Sequence, residues 1–93
     1  MKKVKIKATS VAQEKYTEMT NVSKPEINEF FKSLKDNGLN TNNIELFFKR
    51  GSSKFYSKKC KSVYIIFAIE NSKSIIVVDF LLKSEFENLK KQN

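Results

Sequence analysis

The residues best suited to chemistry in this 93-residue chain are gathered in one stretch. Between positions 49 and 64 stand Lys49, Arg50, Lys54, Phe55, Tyr56, Lys58, Lys59, Lys61 and Tyr64. Cations of this kind hold a phosphodiester and stabilise negative charge as it develops. Rings stack on unpaired bases, worth roughly 1–3 kcal/mol each. A perturbed tyrosine can serve as general acid or base. On a strand, Tyr56, Lys58 and Cys60 share one face, and Phe55, Ser57, Lys59 and Lys61 share the other.

Other chemistries lack their residues. There is no histidine and one cysteine, which excludes a Cys/His zinc site and a Cys–His or Ser–His–Asp nucleophile. The two glycines, Gly38 and Gly51, form no phosphate-cradling loop. The acids are scattered, so neither a metal site nor a cofactor is expected. Asp79, alone among apolar neighbours at 75–82, reads as an acid paired with a lysine.

The net charge of +8 is unevenly placed. Residues 2–7 carry +4 and residues 49–61 carry +6 with no acid among them, while 8–48 sum to −2. This favours a cationic patch that meets an anionic partner, either nucleic acid or an acidic protein. A lone Cys60 suits a reducing compartment, and the apolar runs 63–69 and 75–82 are far short of the ~20 residues of a membrane helix. The expectation is one cytoplasmic domain over residues 1–93, with no membrane contact.

The elements that must position these residues follow from periodicity. Lys3–Ala8 alternates lysine with apolar residues and reads as a strand. Ser10 with Gln13 predicts a capping box opening a helix to about Thr20, with Val11, Ala12, Tyr16 and Met19 on one side. Ser23 with Glu26, the staple pair Val22 and Ile27, and Pro25 predict a second helix. Its stripe is Ile27, Phe30, Phe31 and Leu34, and Gly38 ends it, with Leu39 placed to touch Leu34. Asn40–Asn43 is a loop. Ile44–Phe48 and a segment from Lys54 read as strands around a turn at Gly51–Ser53. Val63–Ile69 is a continuous β-branched run, expected as a central strand covered on both faces. A loop at Glu70–Ser74 leads to a partner strand, Ile75–Leu82, on which Asp79 shares parity with Val77 and Leu81. Ser84 with Glu87 predicts a tail helix presenting Phe86 and Leu89. The fold class is α+β, ordered β-α-α-β-β-β(-β)-α, with a mostly antiparallel sheet and two helices on one face. Phe47 and Phe48, being adjacent, are expected to face opposite ways, leaving one in need of cover and a dimer open.

This pattern resembles the RelE/ParE toxin superfamily. KIKATSVAQEKYTEM and VSKPEINEFFKSLKDNG resemble its first strand and helix pair, and FYSKKCKSVYIIFAIENSKSIIVVDFLL its basic strand and apolar hairpin. The resemblance implies a small basic toxin that cuts messenger RNA on the ribosome, or one that blocks DNA gyrase, with an antitoxin as partner. It places Lys58 or Lys59 at a lysine of the basic strand and Lys83 near an arginine after the last strand. Tyr64 stands where the family often has an arginine, and Phe86 near its terminal tyrosine. Lys58, Lys59, Lys83 and Tyr56 are then the catalytic candidates, and Lys49, Arg50, Lys54, Lys61 and Tyr64 the nucleic-acid-binding ones. The residues leave a second class open: a non-enzymatic phage- or plasmid-borne inhibitor, acting against a defence system or a host enzyme, or a nucleic-acid-binding module.

Overall fold

The computed structural model describes residues 4–19, 24–37, 44–60, 63–71 and 74–92. The elements are β1 (Lys5–Ala8), α1 (Ser10–Glu18), α2 (Lys24–Asn37), β2 (Ile44–Arg50), β3 (Ser53–Cys60), β4 (Val63–Asn71), β5 (Ser74–Leu82) and α3 (Lys83–Gln92). The expected order and α+β class are those observed. The readings at Val22, Ser23, Gly38, Leu39, Asn40–Asn43 and Lys61 lie outside the described residues.

One sheet has the order β1-β5-β4-β3-β2. Its pairs are antiparallel except β1 with β5, which run parallel, Ile6 opposite Ile75. β4 is the central strand, and its alternate residues feed two cores. Ile65 and Phe67 join Val4, Ala12, Ile27, Phe30, Leu34, Cys60, Ile75 and Val77 beneath α1 and α2. Ile66 joins Leu81 and Phe86 beneath α3, with Phe47, Phe55, Tyr64 and Val78 packed around them. A strand buried on both faces has no polar parity to show, which is why 63–69 reads as an unbroken apolar run.

The helices differ from expectation in detail. The cap of α1 is Thr9, one residue before Ser10: its hydroxyl accepts from the Ala12 N–H at 3.2 Å. Thr9 also donates its N–H to Val77 O at 3.0 Å and its hydroxyl to Val78 O at 3.3 Å, so the cap pins the helix start to β5. The Gln13 amide reaches back to Ala8 O at 2.9 Å. Val11, expected on the buried side, is 52% exposed, because Ala12, Tyr16 and Met19 already span the contact. α2 buries Ile27, Phe30 and Leu34 as its periodicity requires. At α3 the cap lies earlier than Ser84: Leu82 N–H donates to Glu85 Oε1 at 3.0 Å, and the helix starts at Lys83.

Two bulges break the alternation on which sequence parity depends. In β2, Leu46 is opposite Tyr56 while Phe48 is opposite Phe55, so Phe47 is the extra residue. The bulge turns both Phe47 and Phe48 toward the α3 side, against the expectation that they diverge. Phe47 stacks on Phe86 at 4.9 Å and Phe48 on Phe55 at 4.6 Å. In β5, Ile66 is opposite Asp79 and Phe67 opposite Val77, so Val78 is extra. The parity of Asp79 with Val77 and Leu81 is thereby lost: Val77 and Phe80 enter the α1/α2 core, and Val78 and Leu81 pack with the α3 core. Asp79 lies past the end of β1 and pairs with Lys15 of α1 at 2.7 Å, a lysine partner as expected. Both groups are about a third exposed, so the pair contributes at most about 1 kcal/mol.

Candidate functional site

The β2–β3 hairpin carries the mid-chain cations. Its turn needs a left-handed residue, and Gly51 supplies it at φ 63°. Register then divides the candidates between the two faces of the sheet. Lys49 lies directly opposite Lys54, on the face of β3 that also carries Tyr56 and Lys58. Arg50, opposite Ser53, lies on the other face with Phe55 and Lys59. Lys59 sits directly across from Tyr64 of β4 on the α3 side. Lys83 is the exposed first residue of α3. The structure thus brings together Lys59, Tyr64 and the start of α3, and sets Arg50 on the same face but at the hairpin tip, about 20 Å along β3 from Lys59. It places Lys49, Lys54, Tyr56 and Lys58 across the sheet from them.

The α1/α2 face is partly committed to packing. Tyr56 is half-buried and stacks toward Phe67 at 6.1 Å. Lys58 is half-buried, with its ammonium 5.8 Å from the Phe30 ring centre. Near the hairpin tip Lys54 lines a cavity of about 370 Å³, shared with Ser52, Ser53, Tyr56 and Glu70. Glu70 is itself paired with Lys7 at 3.4 Å. An acid in the lining works against an anion there.

Cys60 lies under this face, 1% exposed. Burial pushes its thiol up to about 11; the Lys58 ammonium works the other way, and Glu26 adds to the rise. Glu26, in the first turn of α2, buries Oε2 without a hydrogen-bond partner. The thiol is therefore no nucleophile at neutral pH. Its raised value stabilises the fold fully below pH 9, and that contribution falls as pH climbs from 9 toward 11, because the unfolded thiol ionises first. We expect Cys60 to react slowly with a disulfide reagent at pH 8 until urea unfolds the chain. We also expect Cys60→Ala to flatten the loss of stability between pH 9 and 11. Fast native labelling would contradict the burial.

The α3 face holds a column of rings. Phe86 lies between Tyr64, at 3.8 Å and 2° between planes, and Phe47, at 4.9 Å and 21°. Phe47 meets Phe48 edge-on at 5.3 Å, and Phe48 continues to Phe55. The positions that the resemblance assigned separately, Lys59, Tyr64 and Phe86, meet here. The sequence set Phe47 and Phe48 on opposite faces because nothing in IELFF marks a bulge. Among the described residues the ion pairs are Lys7–Glu70 and Lys15–Asp79. Arg50, Lys59 and Lys83 are in neither. No group of three or more potential metal ligands occurs among the described residues, and none of their helices is long and apolar enough to cross a membrane.

No protein-family model matches the sequence, and no curated protein matches it. A solved structure does: a chain of the archaeal RelE–RelB complex from Pyrococcus horikoshii superposes with a TM-score of 0.70, covering 89% of this chain and 97% of the other. This is the RelE fold. Sequence identity is 12%, so the likeness lies in architecture. In this chain the order is a strand, a helix pair, a four-strand meander and a tail helix on the sheet face opposite α1 and α2.

Proposed function

We propose that the chain is the toxin of a toxin–antitoxin pair, acting on RNA and translation through the basic α3 face. The observation that carries this reading is the meeting of Lys59, Tyr64 and Lys83 at one end of the α3 face, with Arg50 on the same face at the hairpin tip, within a RelE fold. Cations so placed neutralise phosphates, and the rings beside them suit unpaired bases. The similar Pyrococcus chain belongs to a complex with RelB. A matching partner here would be an acidic antitoxin segment that covers the same cations.

The test is induction in a growing bacterium without an antitoxin. Growth arrest with a fall in amino-acid incorporation within minutes is expected. The Arg50→Ala/Lys59→Ala/Lys83→Ala variant should restore growth. Undisturbed growth with soluble wild-type protein would overturn the reading.

One feature favours a binder over a nuclease. Phe86, which lies flat on Tyr64, has no proton to transfer. Arrest with intact messenger RNA would select the non-enzymatic form, and fragments ending within codons would select cleavage.

A further inference from the structure

α3 is held to the sheet by very little. Of its residues with described side chains, Phe86 alone is buried; Lys83, Ser84, Glu85, Glu87, Asn88, Leu89, Lys90 and Lys91 are exposed. The helix follows β5 without a linker, the two meeting at Leu82–Lys83. Beside it a cavity of about 350 Å³ opens among Phe47, Ile66, Val78, Asp79, Leu81 and Leu89, so the seat of the helix is loosely filled.

The way Phe86 is held has a specific form. A single flat ring is clasped between two others, parallel to Tyr64 within 2° and to Phe47 within 21°. Aromatic pairs usually stack with an offset or meet edge-to-face, as Phe48–Phe55 does in the first way at 4.6 Å and Phe47–Phe48 in the second; Tyr64 and Phe86, at 3.8 Å and 2°, form a closer face-to-face sandwich. A clasped parallel ring is the geometry in which proteins hold an unpaired base. A cation for a flanking phosphate is at hand: Lys59 is the cross-strand neighbour of Tyr64.

We infer that the slot between Tyr64 and Phe47 is a nucleobase-binding site, which Phe86 fills when no RNA is present. An unpaired base of single-stranded RNA displaces Phe86, α3 swings out from Leu82, and Tyr64 and Phe47 clasp the base. Lys59 takes an adjacent phosphate. The helix is thus a competitor for its own ligand, and the apparent affinity is reduced by the fraction of molecules with the slot filled. This inference rests on the RNA reading of the α3 face and adds the residues that read the base.

The experiment uses a single-stranded RNA tetranucleotide carrying 2-aminopurine, whose emission falls on stacking. The chain has no tryptophan, so the signal stands clear of the protein. Phe86→Ala empties the slot and should bind about tenfold tighter than wild type with deeper quenching, since burying a phenyl ring biases the closed state by at least that factor. Phe86→Trp, with a larger ring to stack, should bind more weakly, read by filter retention of end-labelled RNA because this variant adds a tryptophan. Tyr64→Ala added to Phe86→Ala should cancel the gain. Should Phe86→Ala lose its fold by circular dichroism, Phe86→Leu keeps the apolar volume without the parallel ring and serves in its place. A folded Phe86→Ala or Phe86→Leu that binds no tighter than a wild type that does bind overturns the slot and leaves the RNA reading standing. Failure of every protein to bind at low salt overturns both.

Discussion

Replacing Phe67 with alanine is expected to remove about 3–5 kcal/mol of stability. Phe67 is wholly buried at the centre of β4. Its ring lies 5.9 Å from Phe30 of α2 and 6.1 Å from Tyr56 of β3, so one side chain joins the helix layer to two strands. Alanine leaves a cavity that the strand, hydrogen-bonded on both sides, cannot collapse to fill. A domain of this size has a total stability of about 5–14 kcal/mol, so at the lower end of that range the variant unfolds. The midpoint of thermal melting should fall by more than about 12 °C. Leu46→Ala is the control: the side chain is 49% exposed, and the change should stay near 0.5 kcal/mol. Urea unfolding of both variants measures the contrast. A loss below about 1 kcal/mol at Phe67 would contradict the packing of α2 over β4.

The second large effect separates the two basic faces. Each lysine or arginine that neutralises a phosphate of a single strand contributes about 0.7 to the slope of log affinity against log salt. Removing Arg50, Lys59 and Lys83 together should lower that slope by about 2, and weaken RNA binding at low salt by about a hundredfold. Lys49→Ala/Lys54→Ala, on the opposite face, should change neither by much. These two lysines stand directly opposite each other, and like charges so placed repel. Their removal should even stabilise the hairpin slightly. Titration of a fluorescent RNA at several salt concentrations reads both slopes. If the Lys49/Lys54 variant loses the slope and the triple variant keeps it, the interface lies on the α1/α2 face instead.

The deciding physics is competition for the surface. On the α1/α2 face, Tyr56 and Lys58 are half-buried against Phe67 and Phe30, and Glu70 lines the cavity that Lys54 shares. On the α3 face, cover comes from one short helix with one buried ring. A surface so lightly covered opens at the smaller cost.

Much of this was written in local sequence. The stripe Ile27, Phe30 and Leu34 could only bury as one helix face, and the β-branched run from Val63 could only serve as a strand covered twice. The alternation of β3 placed Lys58 and Lys59 on opposite faces before any fold was known. Local spacing settles these because each is a property of one element and its period. What tertiary structure alone decided is where the alternation stops. Bulges at Phe47 and Val78 arise from pairing with β3 and β4, strands whose own twist and register set where an extra residue fits. They turned both Phe47 and Phe48 to one face and sent Asp79 to Lys15. The clasp on Phe86 likewise joins residues 17 and 22 positions apart or more along the chain, and only the folded sheet brings them within stacking distance.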